Sequence, residues 1–300
     1  MSGVIWSRLL LWYRKHGREL PWRETTDPYR ILLSEIMLQQ TQVSRVREFY
    51  GRWLEQFPDW ATLAKASTAE VLRAWAGLGY NRRALNLRSI AIFVIAHGEP
   101  KSYEGWLALK GIGPYTAAAI AIFAHGERMM PIDTNIRRVL GRLSVGSLFP
   151  QLKDDERIRR AIGDEWHRAR AYRDVPQALF DLANSHCLKQ PKCATCPLRM
   201  SCASSSRFLS GTVRSPRRMT PKAKETVRQG KRYPDRIYRG RILQEVRTAE
   251  RGIAIEQLGR HIDSGFDTRA DQPWLLAMID RMIRDGLLRR TKTRLFLPRE

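Results

Sequence analysis

The sequence predicts an all-α fold over residues 1–200 and a small winged-helix-like α+β domain at residues 235–300. Three observations carry this expectation. Apolar residues recur at helical spacing in 31–46, 71–76, 84–95 and 116–123. Few segments there alternate with period two, and Pro or Gly punctuates the gaps at Pro21, Pro28, Pro58, 77–79, 98–100 and 111–114. Near the C-terminal end, helical stretches at 239–248, 255–261 and 274–285 precede a run, 286–297, that reads as two short strands around a basic turn. That domain is either a second DNA contact or a docking module.

Composition narrows the partners. Of the 300 residues 43% are hydrophobic, which permits real cores and argues against wholesale disorder. Against 53 Lys and Arg stand 30 Asp and Glu, a formal charge of +23. Such an excess points to a polyanion, nucleic acid first and an anionic membrane surface second. No apolar stretch approaches the roughly 18 residues of a membrane span. Residues 4–13 are largely apolar but broken by Ser7 and Arg8, with no small-residue cleavage site after them. No signal peptide is read, and a cytoplasmic, nucleoid-associated location is expected. From Ala203 to Pro234 there are nine Lys or Arg and one acid, Glu225, which reads as an exposed basic linker.

All four cysteines fall between Cys187 and Cys202, spaced as Cys187-x5-Cys193-x2-Cys196-x5-Cys202. Disulfides staple distant segments, so this clustering reads as one metal site. The candidates are zinc on four thiolates and a [4Fe–4S] cluster. A lone Cys-x2-Cys hook with longer flanking arms suits the larger group.

Four further strings carry chemistry. In 109–119, Gly111 and Gly113 permit a tight turn that leaves backbone N–H groups at the start of a helix near Thr116, a ready phosphate site. With a helix before it, this is a helix-hairpin-helix signature for gripping a DNA backbone (about 103–125). Downstream, Asp133 precedes a basic helix; it either caps that helix or sits beside a bound backbone. Glu35 lies among Ile31, Leu32, Ile36, Met37 and Leu38. A carboxyl so placed is raised toward the general-acid range, unless it faces water on an amphipathic helix. The Gln39-Gln40-Thr41-Gln42 run that follows offers side chains able to fill a base stack or bond base edges. Finally, Gly77-Leu78-Gly79-Tyr80 ends a glycine-rich loop in an aromatic, either a core residue or a wedge between bases.

Together these strings, with Pro21-Trp22-Arg23, resemble the helix-hairpin-helix DNA glycosylases of the endonuclease III superfamily, and within it the MutY-type adenine glycosylases. The similarity covers roughly residues 5–203. The resemblance implies a helical barrel module (22–130), a cluster module (1–21 with 131–207), a basic linker (208–234) and the winged-helix-like domain (235–300), with a catalytic cleft between the first two. It implies that Glu35 protonates adenine, that Asp133 stabilises the charge growing on the sugar, and that Asn135 orients that site. Tyr115 takes the position where strand-cleaving relatives hold a nucleophilic Lys, implying base removal alone. Gln39 and Tyr80 would plug the stack, beside Gln40; Trp22, Arg23 and Gln177 would line the base pocket. The implied partner is double-stranded DNA with a mismatched or oxidised base pair, bound by a monomer. The cluster is implied to take no part in hydrolysis.

Three departures stand out. The first cysteine interval is five residues where the family has six. Asn81 stands where relatives often have a second Tyr. Residues 235–300 read as a winged helix in place of a Nudix-like domain. The expected activity is a monofunctional adenine DNA glycosylase acting opposite 8-oxoguanine or guanine. A thymine or uracil mismatch glycosylase is the rival within the fold, and a non-catalytic DNA-binding protein with a redox cluster the rival outside it.

Overall fold

The computed structural model describes residues 3–214, 227–249 and 251–299. The order of elements is α1 (Gly3–His16), α2 (Pro28–Leu38), α3 (Val43–Gln56), α4 (Trp60–Lys65), α5 (Thr68–Ala74), α6 (Arg82–His97), α7 (Tyr103–Leu107), α8 (Pro114–Phe123), α9 (Thr134–Ser144), α10 (Asp155–Ile162), α11 (Asp174–Ser185) and α12 (Ser205–Leu209). The C-terminal part adds α13 (Asp235–Thr248), β1 (Ile253–Ala254), α14 (Ile255–Ile262), α15 (Thr268–Arg284), β2 (Arg289–Arg290) and β3 (Arg294–Phe296). The chain is mainly helical, as its periodicity predicts. None of the described helices is long and apolar enough to cross a membrane.

Local chemistry sets the helix starts. Asp59 accepts from Thr62 N at 2.8 Å to cap α4, and Ser67 with Glu70 forms a reciprocal capping box on α5. Ser102 caps α7 and Asp267 caps α15. The apolar pattern over 31–46 divides between α2 and α3. Residues 39–42 add nothing to the buried face, and Gln40 takes φ 57°, which ends the helix.

Two compact units are formed, Met1–Glu35 with Pro100–Met219, and Ile36–Glu99 with Thr220–Glu300. In the first, α9 packs on α10 and α11, and α11 on α1. Trp6, Leu9, Ile136, Leu140, Ile158 and Leu179 fill that core. α8 is buried along Thr116–Ile122, where a run of alanines lets neighbours approach closely.

In the second unit, α4 and α5 pack on α6. The C-terminal domain joins three helices to an antiparallel sheet of order β1-β3-β2, with Leu295 paired to Ile253 on one side and Arg290 on the other. Its core holds Tyr238, Ile242, Leu258, Leu275, Met278 and Leu295. Leu72 of α5 is part of this core and Leu85 of α6 packs against it, so the domain docks on the α5–α6 pair.

Here the structure goes beyond the sequence reading. β1 spans two residues, too short for a period to register. α15 begins at Thr268, ahead of the expected 274, and carries Pro273 inside it; the Asp267 cap and the bond from Trp274 Nε1 to Asp235 fix its first turns. Of the expected basic linker, residues 215–226 lie outside the described residues. Its last part is docked: the Lys231 side chain is 3% exposed, pairs with Asp263 at 2.7 Å and with Asp271, and lies 5.0 Å from the Trp274 ring centroid.

Candidate active site

Glu35 is the last residue of the α2 segment that belongs to the first unit. Residues Ile31–Ser34 before it are buried, and it keeps only a little exposed surface. Burial pushes its carboxyl from the ordinary 4.5 up to about 7. A hydrogen bond from the Tyr115 hydroxyl and the charge of Arg23 oppose the rise, while Asp133 reinforces it. The water-facing alternative is thereby set aside. Tyr115 stands in the first turn of α8, with Phe180 edge-on at 6.2 Å. Burial, then the charges of Glu35 and Asp133, holds its phenol well above the ordinary 10, so it remains a donor.

Asp133 bears out the capping reading of the sequence. It caps α9, its Oδ1 accepting from Asn135 N at 2.8 Å and Ile136 N at 2.7 Å. Its Oδ2 accepts from Asn135 Nδ2 at 2.8 Å. Burial raises its pKa, with those three donors pulling the other way. Asn135 Oδ1 in turn accepts from Arg138, which also donates to the carbonyls of Cys187 at 2.7 Å and Ala183 at 3.1 Å. Arg138 thus joins the Asp133 cap to the start of the cysteine loop.

Trp22 is buried in a 3-10 turn, Pro21–Arg23. Arg23 is bidentate to Asp181 at 2.8 and 2.9 Å and donates to Arg18 O. It also reaches the Tyr13 hydroxyl at 3.3 Å, which donates to Gln177 Oε1 at 3.0 Å. Arg23 and Gln177 therefore belong to one network, centred on Tyr13 and Asp181, neither of which the motifs single out. Burial opposes ionisation of Asp181, but Arg23 and Arg18 hold it below the ordinary carboxylate range. An acid on the buried side of amphipathic α11 was the available signal.

The hairpin forms as expected between α7 and α8. Gly111 has φ 94°, a turn conformation other residues resist. Gly113 opens α8 without a side-chain cap, and a Cβ added to it would meet nothing within 4 Å. The first N–H groups of α8 therefore have no local side-chain acceptor, and Lys110 is exposed beside them.

Gln39, Gln40 and Tyr80 lie in the second unit. Tyr80 is 60% exposed, so it is no core residue, and its φ of 47° is strained. Arg83 joins this loop to the glutamine loop. Its guanidinium donates to the carbonyls of Ile36 at 2.6 Å, Met37 at 3.1 Å and Gln39 at 2.7 Å, and to those of Leu78 and Gly79. It also lies over the rings of Trp75 and Tyr80, at 5.3 and 5.6 Å. The motif reading of the glycine-rich loop held no clamp between two loops 40 residues apart (39 to 79).

All four cysteines line one cavity with Val139, Leu182 and Leu198. Arg142, 2% exposed, donates to the carbonyls of Leu188 and Lys189 and approaches Cys187 Sγ at 3.6 Å. Cys202 Sγ donates to Arg142 O at 3.5 Å. Burial pushes the Cys196 thiol up to about 11. Four sulfurs around a cavity with apolar walls and a buried cation fit a four-thiolate group of net negative charge. Among the described residues no three such donors are grouped tightly enough for a single ion. Lys189, Lys192 and Arg199 are exposed on the same loop.

Comparison with known proteins shows the family. Residues 33–167 match the HhH-GPD superfamily of base excision DNA repair proteins. The chain is 36% identical over 256 residues to an adenine DNA glycosylase of Mycobacterium tuberculosis, covering 81% of this chain and 79% of that one. To the adenine DNA glycosylase of Mycolicibacterium smegmatis it is 34% identical over 297 residues, covering 94% and 92%. Among solved structures, a thermostable thymine-DNA glycosylase superposes with a TM-score of 0.60 and 28% identity, over 68% of this chain and 96% of that one. Similarity at this level over nearly the whole of a relative places the chain in the adenine DNA glycosylase family.

Proposed function

We propose that this protein flips adenine out of duplex DNA and hydrolyses its N-glycosidic bond, acting where adenine is mispaired with 8-oxoguanine or guanine. The observation that carries the reading is Glu35, a carboxyl held near pKa 7 in one site with Tyr115 and Asp133. Breaking the bond between sugar C1′ and adenine N9 leaves electrons on the base and positive charge on the sugar. With its pKa raised to about 7, Glu35 can hold a proton near neutral pH, the poise a general acid needs to deliver one to N7 of the departing base. Asp133, fixed by three donors, supplies the carboxylate that stabilises the sugar cation or traps it covalently until water adds at C1′. Tyr115 keeps its proton and orients Glu35; a phenol forms no Schiff base, in keeping with base removal without strand cleavage.

The remaining parts serve access. The open start of α8 behind Gly111 and Gly113 offers N–H groups to a backbone phosphate, drawn by a chain of charge +23. Tyr80, with Gln39 and Gln40, would fill the stack when the nucleotide leaves it, offsetting part of the few kcal/mol that flipping costs. Trp22, Arg23 and Gln177 would form one wall of the base pocket. Cys187, Cys193, Cys196 and Cys202 would hold a [4Fe–4S] cluster. When bound it supplies a rigid cross-link of the loop and one-electron chemistry. Hydrolysis is left to Glu35 and Asp133. A monomer on duplex DNA suffices for this chemistry.

Single-turnover base release from A·8-oxoG, A·G, T·G and U·G duplexes, worked up with and without alkali, tests the reading. Fast adenine release whose nick needs alkali is expected. Release of thymine instead would favour the second reading, which the similarity to the thymine-DNA glycosylase supports. No release at all would promote a DNA-binding protein without catalysis. Iron and sulfide at about four each per chain are expected; a colourless protein with one zinc would overturn the cluster assignment.

A further inference from the structure

Asn81 follows Tyr80 directly in the chain and stands at the N-terminal boundary of α6, where its side chain makes no capping bond. Its Oδ1 accepts a hydrogen bond of 2.6 Å from Nη2 of Arg247, in the last turn of α13. The Arg247 guanidinium is largely withdrawn from water, and burial pulls its pKa down to about 10. Its Nε finds no hydrogen-bond partner among the described residues. A cation held there against its hydration makes the bond to Asn81 a specific anchor rather than a passing surface contact.

Neighbouring contacts bring the same two elements together. Arg82, the next residue of α6, pairs with Asp285 at 3.5 Å, and Asp285 also takes Arg239 of α13 at 2.5 Å. Leu72 and Leu85 pack into the C-terminal core from α5 and α6. The loop that ends in Tyr80 thus spans two helices that are both fastened to this domain. Tyr80 itself is exposed and left-handed, a state a bulky residue keeps only when its surroundings impose it. Arg83 holds it through the ring, and Asn81 fixes the backbone immediately after it.

We propose that Arg247 is a positioning residue for base extrusion: through Asn81 the C-terminal domain holds Tyr80 in the conformation that wedges the stack. The inference rests on the reading of Tyr80 as that wedge. It gives the winged-helix-like domain a role in the reaction that requires no base contact of its own.

Stopped-flow fluorescence tests it, using the full chain and a duplex with 2-aminopurine beside an adenine paired with guanine. Opening of the stack raises the signal. Arg247→Met keeps the stem and removes the donors; it should slow the rise about tenfold with duplex affinity little changed. Asn81→Ala should slow it equally, and the double variant should be no slower than either single one. Asn81→Asp, which keeps an acceptor for Arg247, should extrude at the wild-type rate. An unchanged rate in Arg247→Met, or a double variant slowed by the product of the two, overturns the proposal. Should Arg247→Met fail to fold, the Asn81 pair decides: equal rates for the Ala and Asp variants overturn it. Tyr80→Ala at the wild-type rate removes the wedge reading and the proposal with it. Wild-type protein that never opens the stack counts against the glycosylase reading as a whole.

Discussion

Replacing Glu35 by Gln separates the catalytic role of this carboxyl from its energetic cost. A group raised from 4.5 to about 7 carries an unfavourable ionisation of about 3 kcal/mol once fully charged. The sign follows from proton counts. Between pH 4.5 and 7 the folded chain retains a proton that the unfolded chain has lost, so stability falls as pH rises through that window. The neutral amide escapes this penalty. Glu35→Gln should match wild type in stability near pH 4.5 and exceed it by up to about 3 kcal/mol at pH 8, a rise of roughly 5–10 °C in Tm. Base release should fall by about a thousandfold in the same variant. In wild type it should decline as pH rises through about 7, because the donor loses its proton. Thermal unfolding of both proteins across pH 5–8, paired with single-turnover assays, checks these together. A stability difference that does not grow with pH would refute the assignment of Glu35 as the buried ionising group. Activity within tenfold of wild type would refute its role as proton donor.

Other perturbations address the rest of the site. Arg23→Met should destabilise the protein by about 3–5 kcal/mol in thermal or denaturant unfolding, because it leaves Asp181 buried and unpaired apart from Arg18. Arg83→Ala strips the donor shared by the carbonyls of Ile36, Met37, Gln39, Leu78 and Gly79, and should cost about 2–4 kcal/mol in the same measurement. Gly113→Glu places an anion at the open start of α8 where space exists for it; affinity should drop about tenfold for matched and mismatched duplexes alike, with unchanged Tm. Arg138→Leu cuts the path from Cys187 O to Asn135; base release should fall at least about tenfold while iron content stays at wild type.

How far the site could be read from the chain varies residue by residue. Glu35 was legible as a candidate because its five apolar neighbours in one helical stretch favour a desolvated carboxyl, although a water-facing position stayed open until burial was seen. Asp133 was legible as a cap, since an acid just before an amphipathic helix has few other uses. Tyr115 was recognisable by its place in the hairpin string, but its hydrogen bond to Glu35 joins residues 80 positions apart (35 to 115), which no local pattern encodes. Arg83 was missed for the same reason, and Asp181 was missed although its place on the buried side of α11 was a local signal. Each is one charged residue among many in a chain rich in them, and its importance lies in partners gathered from distant turns.

The sequence by itself determined the mainly helical character, the hairpin, the clustered thiols and the candidate acids at Glu35 and Asp133. These depend on periodicity, glycine conformation, capping and spacing, all of which act over a few residues. Only the tertiary structure decided that Lys231 belongs to a buried ion pair, that Arg23 is bound by Asp181, and that α13 reaches Asn81. A guanidinium or an ammonium can pair with any acceptor within its reach. Which acceptor is within reach is set by how helices far apart in the chain pack their apolar faces together.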